Sequence, residues 1–179
     1  MALTFSKHDD IPDVRIIWPK VIGDERGWFS ETYVEREFIN NELNIHIVQE
    51  NHSKSKAGVF RGLHYQRWPY EQGKLVRVLK GRLIDYFMDI RKSSPTFGLI
   101  SNYTLTAGGP MLWIPRGFAH GVYILEDETE LLYKVDNVYA PLHECGINAQ
   151  DVISGLPTNV QFSEKDQQWP TFDNAVYFP

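Results

Sequence analysis

Gly58-Val59-Phe60-Arg61-Gly62-Leu63-His64-Tyr65-Gln66, followed closely by Gln72-Gly73-Lys74-Leu75-Val76-Arg77, decides how this chain is read. Strand-forming apolar residues and glycines are interleaved there with a histidine, two arginines and a lysine. A third stretch, Ile114-Pro115-Arg116-Gly117-Phe118-Ala119-His120-Gly121, adds a second histidine in the same kind of setting. A β-core built only for stability has no use for so many ionisable groups. Side chains alternate across a strand, so Arg61, His64 and Gln66 do not automatically share one face. A glycine bend near Gly62 would realign them. Such strands, curled into a small barrel, make a cationic pocket with an imidazole inside. That combination suits an anionic substrate and a proton transfer.

The rest of the chain agrees with a β-fold. Short β-type runs fall at residues 14–18, 45–51, 59–66, 75–79, 82–90, 99–105, 111–114, 121–125 and 130–135. Gly, Pro, Asp and Asn punctuate them, as at Lys80-Gly81 and Ala107-Gly108-Gly109-Pro110. Only residues 34–43 read as a helix, with Val34, Phe38, Ile39 and Leu43 near helical spacing. Many short strands at regular intervals predict an all-β sandwich, jelly roll or barrel with a few short helices. No linker or repeat divides the 179 residues, a length that suits one domain over 1–179. The irregular tail from Gly155 onward is expected to pack across the barrel.

Bulk composition excludes several classes. Hydrophobic residues make up 42% and the net charge is −5, which argues against a general nucleic-acid or membrane binder. An anion site must then be local, drawn from the basic residues of the middle segment. One cysteine, Cys145, rules out an internal disulfide and suits a reducing cytoplasm. No apolar run reaches signal-peptide or transmembrane length.

Taken together, these segments resemble the dTDP-4-dehydrorhamnose 3,5-epimerase family of nucleotide-sugar enzymes. Matching stretches at 24–31, 49–53, 58–66, 72–77, 89–98, 114–121, 133–134, 139–141 and 163–166 run in order nearly end to end. The resemblance implies a cupin-type jelly-roll barrel and a substrate whose C4 ketone acidifies the hydrogens on C3 and C5. It makes His64 the base, and an imidazole with an unperturbed pKa of about 6.5 suits that task. Asp166 then orients the imidazole, and Lys74 stabilises the enolate oxygen. Tyr133 returns a proton on the opposite ring face, with Tyr139 a second phenol able to share or replace that role.

Further positions match the family's substrate contacts: Arg26, Glu31, Gln49, Asn51, Arg61, His120 and Glu144, with Lys165 beside them. Arg26 and Arg61 suit the diphosphate. Glu31 and Gln49 suit hydrogen bonds to the nucleobase, and Phe29 suits stacking on it. The resemblance also implies a homodimer in which the arm at 14–18 pairs with the partner's sheet, and a reaction without cofactor. A metal-binding cupin needs a His-x-His pair, but here His64 is followed two residues on by Gln66, so no metal is expected.

Alternatives are a relative acting on another dTDP-4-keto sugar, one inverting C3 alone, a metal-dependent cupin, and a cupin that binds nucleotide sugars without catalysis. Two stretches depart from the family pattern: Asn148-Ala149-Gln150-Asp151, and the large Tyr86, Phe87 and Met88. Both bear on pocket shape and so on substrate identity. Outside the motif context, Asp166 reads as part of a helix cap after Ser163, and His8, His46, His52 and His143 as structural or surface residues.

Overall fold

The computed structural model describes residues 2–179. Two antiparallel sheets face each other. The larger has six strands in the order β1 (Leu3–Lys7), β2 (Arg15–Pro19), β10 (Met111–Ile114), β7 (Lys74–Lys80), β12 (Thr129–Val135) and β5 (Gln49–Ser55). The smaller has five, in the order β13 (Glu144–Gly146), β6 (Phe60–Gln66), β11 (Phe118–Ile124), β8 (Arg82–Asp89) and β9 (Ile100–Thr106). Neighbours that are distant in sequence, such as β2 beside β10 and β12 beside β5, give the sandwich its jelly-roll character. A separate hairpin of β3 (Val21–Asp24) and β4 (Gly27–Ser30) stands apart from both sheets.

Alternation places one face of each sheet inside. Val76 and Val78 of β7, Ile114 of β10 and Leu131 of β12 meet Leu83 and Phe87 of β8 and Val122 and Ile124 of β11, all buried in one cluster. Each such side chain contributes about 1.5–3 kcal/mol on leaving water. The outer face of the smaller sheet is covered by the C-terminal segment, where Phe162, Phe172 and Phe178 pack on Phe60, Leu63, Tyr65 and Met88. The expectation that the tail crosses the barrel holds. On the larger sheet α1 (Glu35–Asn40) covers part of the outer face through Phe38, packed with Leu75, Met111 and Trp113.

Several boundaries differ from the sequence reading. The run 45–51 becomes a strand only from Gln49, because Ile45 packs against the helix side of the larger sheet instead of pairing. β11 begins at Phe118, three residues before the expected start, and so carries His120 within the ladder. The helix ends at Asn40, ahead of Glu42, whose φ of 64° is left-handed. Two further helices are single turns: α2 (Ala149–Val152) and α3 (Glu164–Gln167). The arm at 14–18 requires correction: β2 is paired on both edges within its own chain, by β1 and by β10, so it has no free edge for a partner. No helix among the described residues is long and apolar enough to cross a membrane.

Candidate active site

The glycine bend expected near Gly62 is present. Gly62 has φ of +133°, and a Cβ there would lie 2.4 Å from the Gly121 Cα on the neighbouring strand. Two glycines therefore let β6 and β11 approach where their register shifts, between His120 and Val122. The shift brings Arg61 and His64, of opposite parity along β6, to one cavity of about 510 Å³.

That cavity lies between the sheets. His64 and His120, cross-strand partners on β6 and β11, face it from the smaller sheet. Lys74 of β7 and Tyr133 of β12 face it from the larger one, on strands paired with each other. Asp166 enters from the C-terminal segment. The α3 turn that carries it starts at Ser163, whose hydroxyl accepts from the Asp166 backbone N–H at 3.1 Å. Asp166 thus belongs to a capped turn and also reaches the imidazole: His64 Nε2 lies 2.5 Å from Asp166 Oδ1.

The carboxylate fixes the tautomer. Burial works to raise the Asp166 pKa, but the hydrogen bond and charge of His64, with Ser163, outweigh it and hold the group below its ordinary value. An ionised Asp166 can only accept, so the proton between them belongs to Nε2 and the His64 lone pair lies on Nδ1. The Trp169 indole stands edge-on to His64 with ring centroids 6.1 Å apart. Its Nε1 is buried without a hydrogen-bond partner among the described residues, although it lies on the Asp166 side and favours the charged carboxylate.

Lys74 is nearly inaccessible, and burial pushes its ammonium down to about 8 against the opposing charges of Asp85 and Glu144. Its Nζ lies 3.3 Å from the His64 carbonyl and 3.5 Å from His120 Nδ1. His120 in turn gives Nε2–H to the fully buried Asp85, at 2.9 and 3.1 Å. Burial lowers the His120 pKa; Asp85 opposes this and the Lys74 charge adds to it. A neutral His120 with its proton on Nε2 presents a lone pair to Lys74, so the three groups form one consistent chain. Burial also raises Tyr133, which keeps its phenol protonated.

At the rim, Glu144 takes hydrogen bonds from the Tyr139 hydroxyl and from Lys165 Nζ, both at 2.5 Å. The first of these holds the Tyr139 phenol up to about 12. Tyr139 does not line the main cavity; with Gln49, Asn51 and Tyr133 it borders a smaller adjoining one of about 240 Å³. Arg61 is exposed at the mouth and donates to Ser55 Oγ at 2.9 Å. Arg26 and Phe29 lie elsewhere, on the β3–β4 hairpin, with Glu31 just after it, and none of the three lines either cavity. Arg26 is held there by Asp24.

The family model for dTDP-4-dehydrorhamnose 3,5-epimerase matches residues 8–174. The chain belongs to that family. It is 48% identical over 174 residues to the dTDP-4-dehydrorhamnose 3,5-epimerase of Shigella flexneri, covering 94% of this chain and 96% of the relative. The crystal structure of the epimerase from Sulfolobus tokodaii superposes with a TM-score of 0.93 at 40% identity over the full length of both chains. An epimerase from Legionella pneumophila, solved in complex with dTDP-4-keto-L-rhamnose, gives 0.89 at 38% identity, covering 96% of this chain and 94% of that one. The cupin-type jelly roll is thereby shown, and the chain is an isomerase of the epimerase type.

Against the family pattern, the two departures are absorbed by packing. Tyr86, Phe87 and Met88 do not line the cavity; Phe87 and Met88 are buried in the two clusters on opposite faces of the smaller sheet, and Tyr86 packs on Phe60. Asn148 caps α2 by accepting from the Gln150 N–H at 3.0 Å. Sequence reasoning missed Asp85, although a lone acid among Leu83, Ile84, Tyr86 and Phe87 was a readable sign of a buried partner. It also missed Ser53 in the cavity wall, although Ser53 closes the matching stretch 49–53, and Gln161 and Phe162, which no motif marks. Among the described residues no group of three or more His, Cys, Asp or Glu side chains is arranged to hold a metal ion.

Proposed function

We propose that this epimerase converts dTDP-4-dehydro-6-deoxy-D-glucose to dTDP-4-dehydro-L-rhamnose by inverting C3 and C5, within dTDP-L-rhamnose biosynthesis. The observation that carries the reading is the placement of an oriented imidazole on one sheet and a protonated phenol on the other, across one cavity. His64 Nδ1 takes the C3 proton, and the electron pair moves into the C4 carbonyl as an enolate. Lys74, charged at neutral pH, faces that oxygen. Tyr133 supplies a proton to the other face of the carbon, so the centre inverts. His64 then releases its proton to solvent and the Tyr133 phenolate takes one up, and a second round does the same at C5. The ketone stores the charge throughout, so the sequence of steps balances without an electron carrier.

The single domain spanning 1–179 would hold most of the substrate contacts: Arg61 at the mouth, Gln49, Asn51 and Tyr139 around the adjoining cavity, and His120, Glu144 and Lys165 between them. Arg26, Phe29 and Glu31 would reach a site in a homodimer, with the β3–β4 hairpin delivered to the partner's pocket. Supporting this, the hairpin exposes Ile22 at 58% and Trp28 and Phe29 at 63% each, a large apolar area to leave in water. Two-fold symmetry would repeat the exchange. A cytoplasmic location fits the lone cysteine.

Incubation with dTDP-4-dehydro-6-deoxy-D-glucose in deuterated water tests the chemistry: deuterium must appear at both C3 and C5. Label at C3 alone would convert the reading to a single-centre epimerase. Mixing a His64→Ala chain with an Arg26→Ala chain tests the dimer, because shared sites regain one intact pocket in the hybrid. A monomer with full activity in sedimentation would overturn the shared site.

A further inference from the structure

Gln66 lies two residues beyond His64 and is 4% exposed, yet the mechanism gives it no task. Its amide makes three hydrogen bonds, all to backbone of two loops. Nε2 donates to the Tyr70 carbonyl at 2.6 Å and to the Val138 carbonyl at 3.1 Å, and Oε1 accepts the Ala140 N–H at 2.6 Å. Two carbonyls on one side and one N–H on the other settle which end of the amide is which. Among short neutral side chains, only a primary amide supplies two donors and an acceptor in this arrangement; a neutral imidazole lacks one of the two donors, and a carboxylate lacks both. The bonds to Val138 and Ala140 bracket Tyr139. That residue's own N–H goes to Gln49 Oε1 at 3.0 Å and its hydroxyl to Glu144, the strand partner of Gln66.

We infer that Gln66 is a positioning residue for nucleotide recognition: its amide clamps the backbone on both sides of Tyr139 and presents that ring, half exposed, beside the pocket. The inference rests on the reading of Tyr139 as a substrate contact. It separates the two neighbours on one strand, His64 serving proton transfer and Gln66 serving affinity. Without the clamp the loop samples other conformations, and affinity falls in proportion to the fraction of time it is competent.

The test is dTDP binding by calorimetry together with steady-state epimerisation in Gln66→Met and Gln66→Glu. The expected result is a Kd for dTDP and a KM raised about tenfold or more, for a loop competent a tenth of the time, with kcat at saturation within about twofold of the starting enzyme. Gln66→Glu, which keeps the acceptor for Ala140, retains part of the affinity. Adding Gln66→Met to Tyr139→Ala produces no further loss. Unchanged dTDP affinity in both Gln66 variants beside a weakened Tyr139→Ala overturns the inference alone, as does an equal loss in the Tyr139→Ala background. Unchanged affinity in Tyr139→Ala overturns the reading of Tyr139 and the inference with it.

Discussion

Replacing Lys74 by methionine should make the protein more stable and nearly inactive. Free lysine titrates near 10.5, and burial brings Lys74 to about 8. A tenfold change in proton affinity corresponds to about 1.4 kcal/mol, so keeping the ammonium charged inside the fold costs about 3 kcal/mol. The sign follows from proton counts. Between about 8 and 10.5 the unfolded chain holds a proton that the native one has released, so native stability rises with pH across that window. Below it the penalty is complete. Methionine has similar length and no charge, and forfeits only the long contacts to the His64 carbonyl and His120. Against roughly 1 kcal/mol for those, the net gain at pH 7 is about 1–3 kcal/mol. Urea unfolding at pH 6.5, 7.5, 9 and 10 would show the variant ahead at the acid end, with the gap closing toward pH 10. Turnover should fall about 10²–10³-fold, the usual cost of removing one stabiliser of a developing oxyanion. In the unsubstituted enzyme kcat/KM should fall above about pH 8, as the free enzyme loses this cation. A variant less stable at every pH, with a constant gap, would refute the reasoning.

Other perturbations separate the remaining roles. His64→Asn should reduce solvent exchange at C3 by about 10²–10⁴-fold while leaving dTDP affinity intact; near-normal exchange in a folded variant removes His64 as the base. Tyr133→Phe should still wash label into substrate but yield little inverted product, and full inversion by it, lost instead in Tyr139→Phe, would move the acid role to Tyr139. Gly146→Ala places a Cβ 2.5 Å from the Trp169 ring, so it should cost about 1–3 kcal/mol and loosen the His64–Asp166 contact; an unchanged melting temperature would show that the tail yields freely there.

Much of this architecture was legible because strand interiors and strand ends carry different signals. Val76, Val78, Leu83 and Leu105 announce a core by composition, and the strands that hold them start within a residue of their expected positions. β5, Gln-Glu-Asn-His-Ser-Lys-Ser, has no apolar residue at all, being an edge strand held by its ladder to β12. β13 is three residues long and exists because β6 offers it a backbone partner. The β3–β4 hairpin was invisible for the opposite reason: its apolar residues remain exposed in the single chain, so no burial pattern points inward. The chemistry followed the same division. His64, Lys74, Tyr133 and Asp166 carry motif context, whereas Asp85 and Gln66 act on other residues of the protein, and their partners become visible only once the strands are paired.

The dyad joins residues 102 apart in sequence, one on β6 and one on the turn that follows the last strand. The strands that wall the cavity are all in place by Gly146, yet the acceptor for His64 arrives only with Ser163–Asp166. Synthesis therefore delivers every strand of the two sheets before it delivers the carboxylate that orients the base. Until the tail docks, the imidazole has no carboxylate to fix its tautomer, and the cavity lacks the wall that Gln161, Phe162 and Ser163 provide. The C-terminal segment thus acts as a late key: removing the chain beyond Gly155 would take away the carboxylate that orients the base and bare the outer face of the smaller sheet.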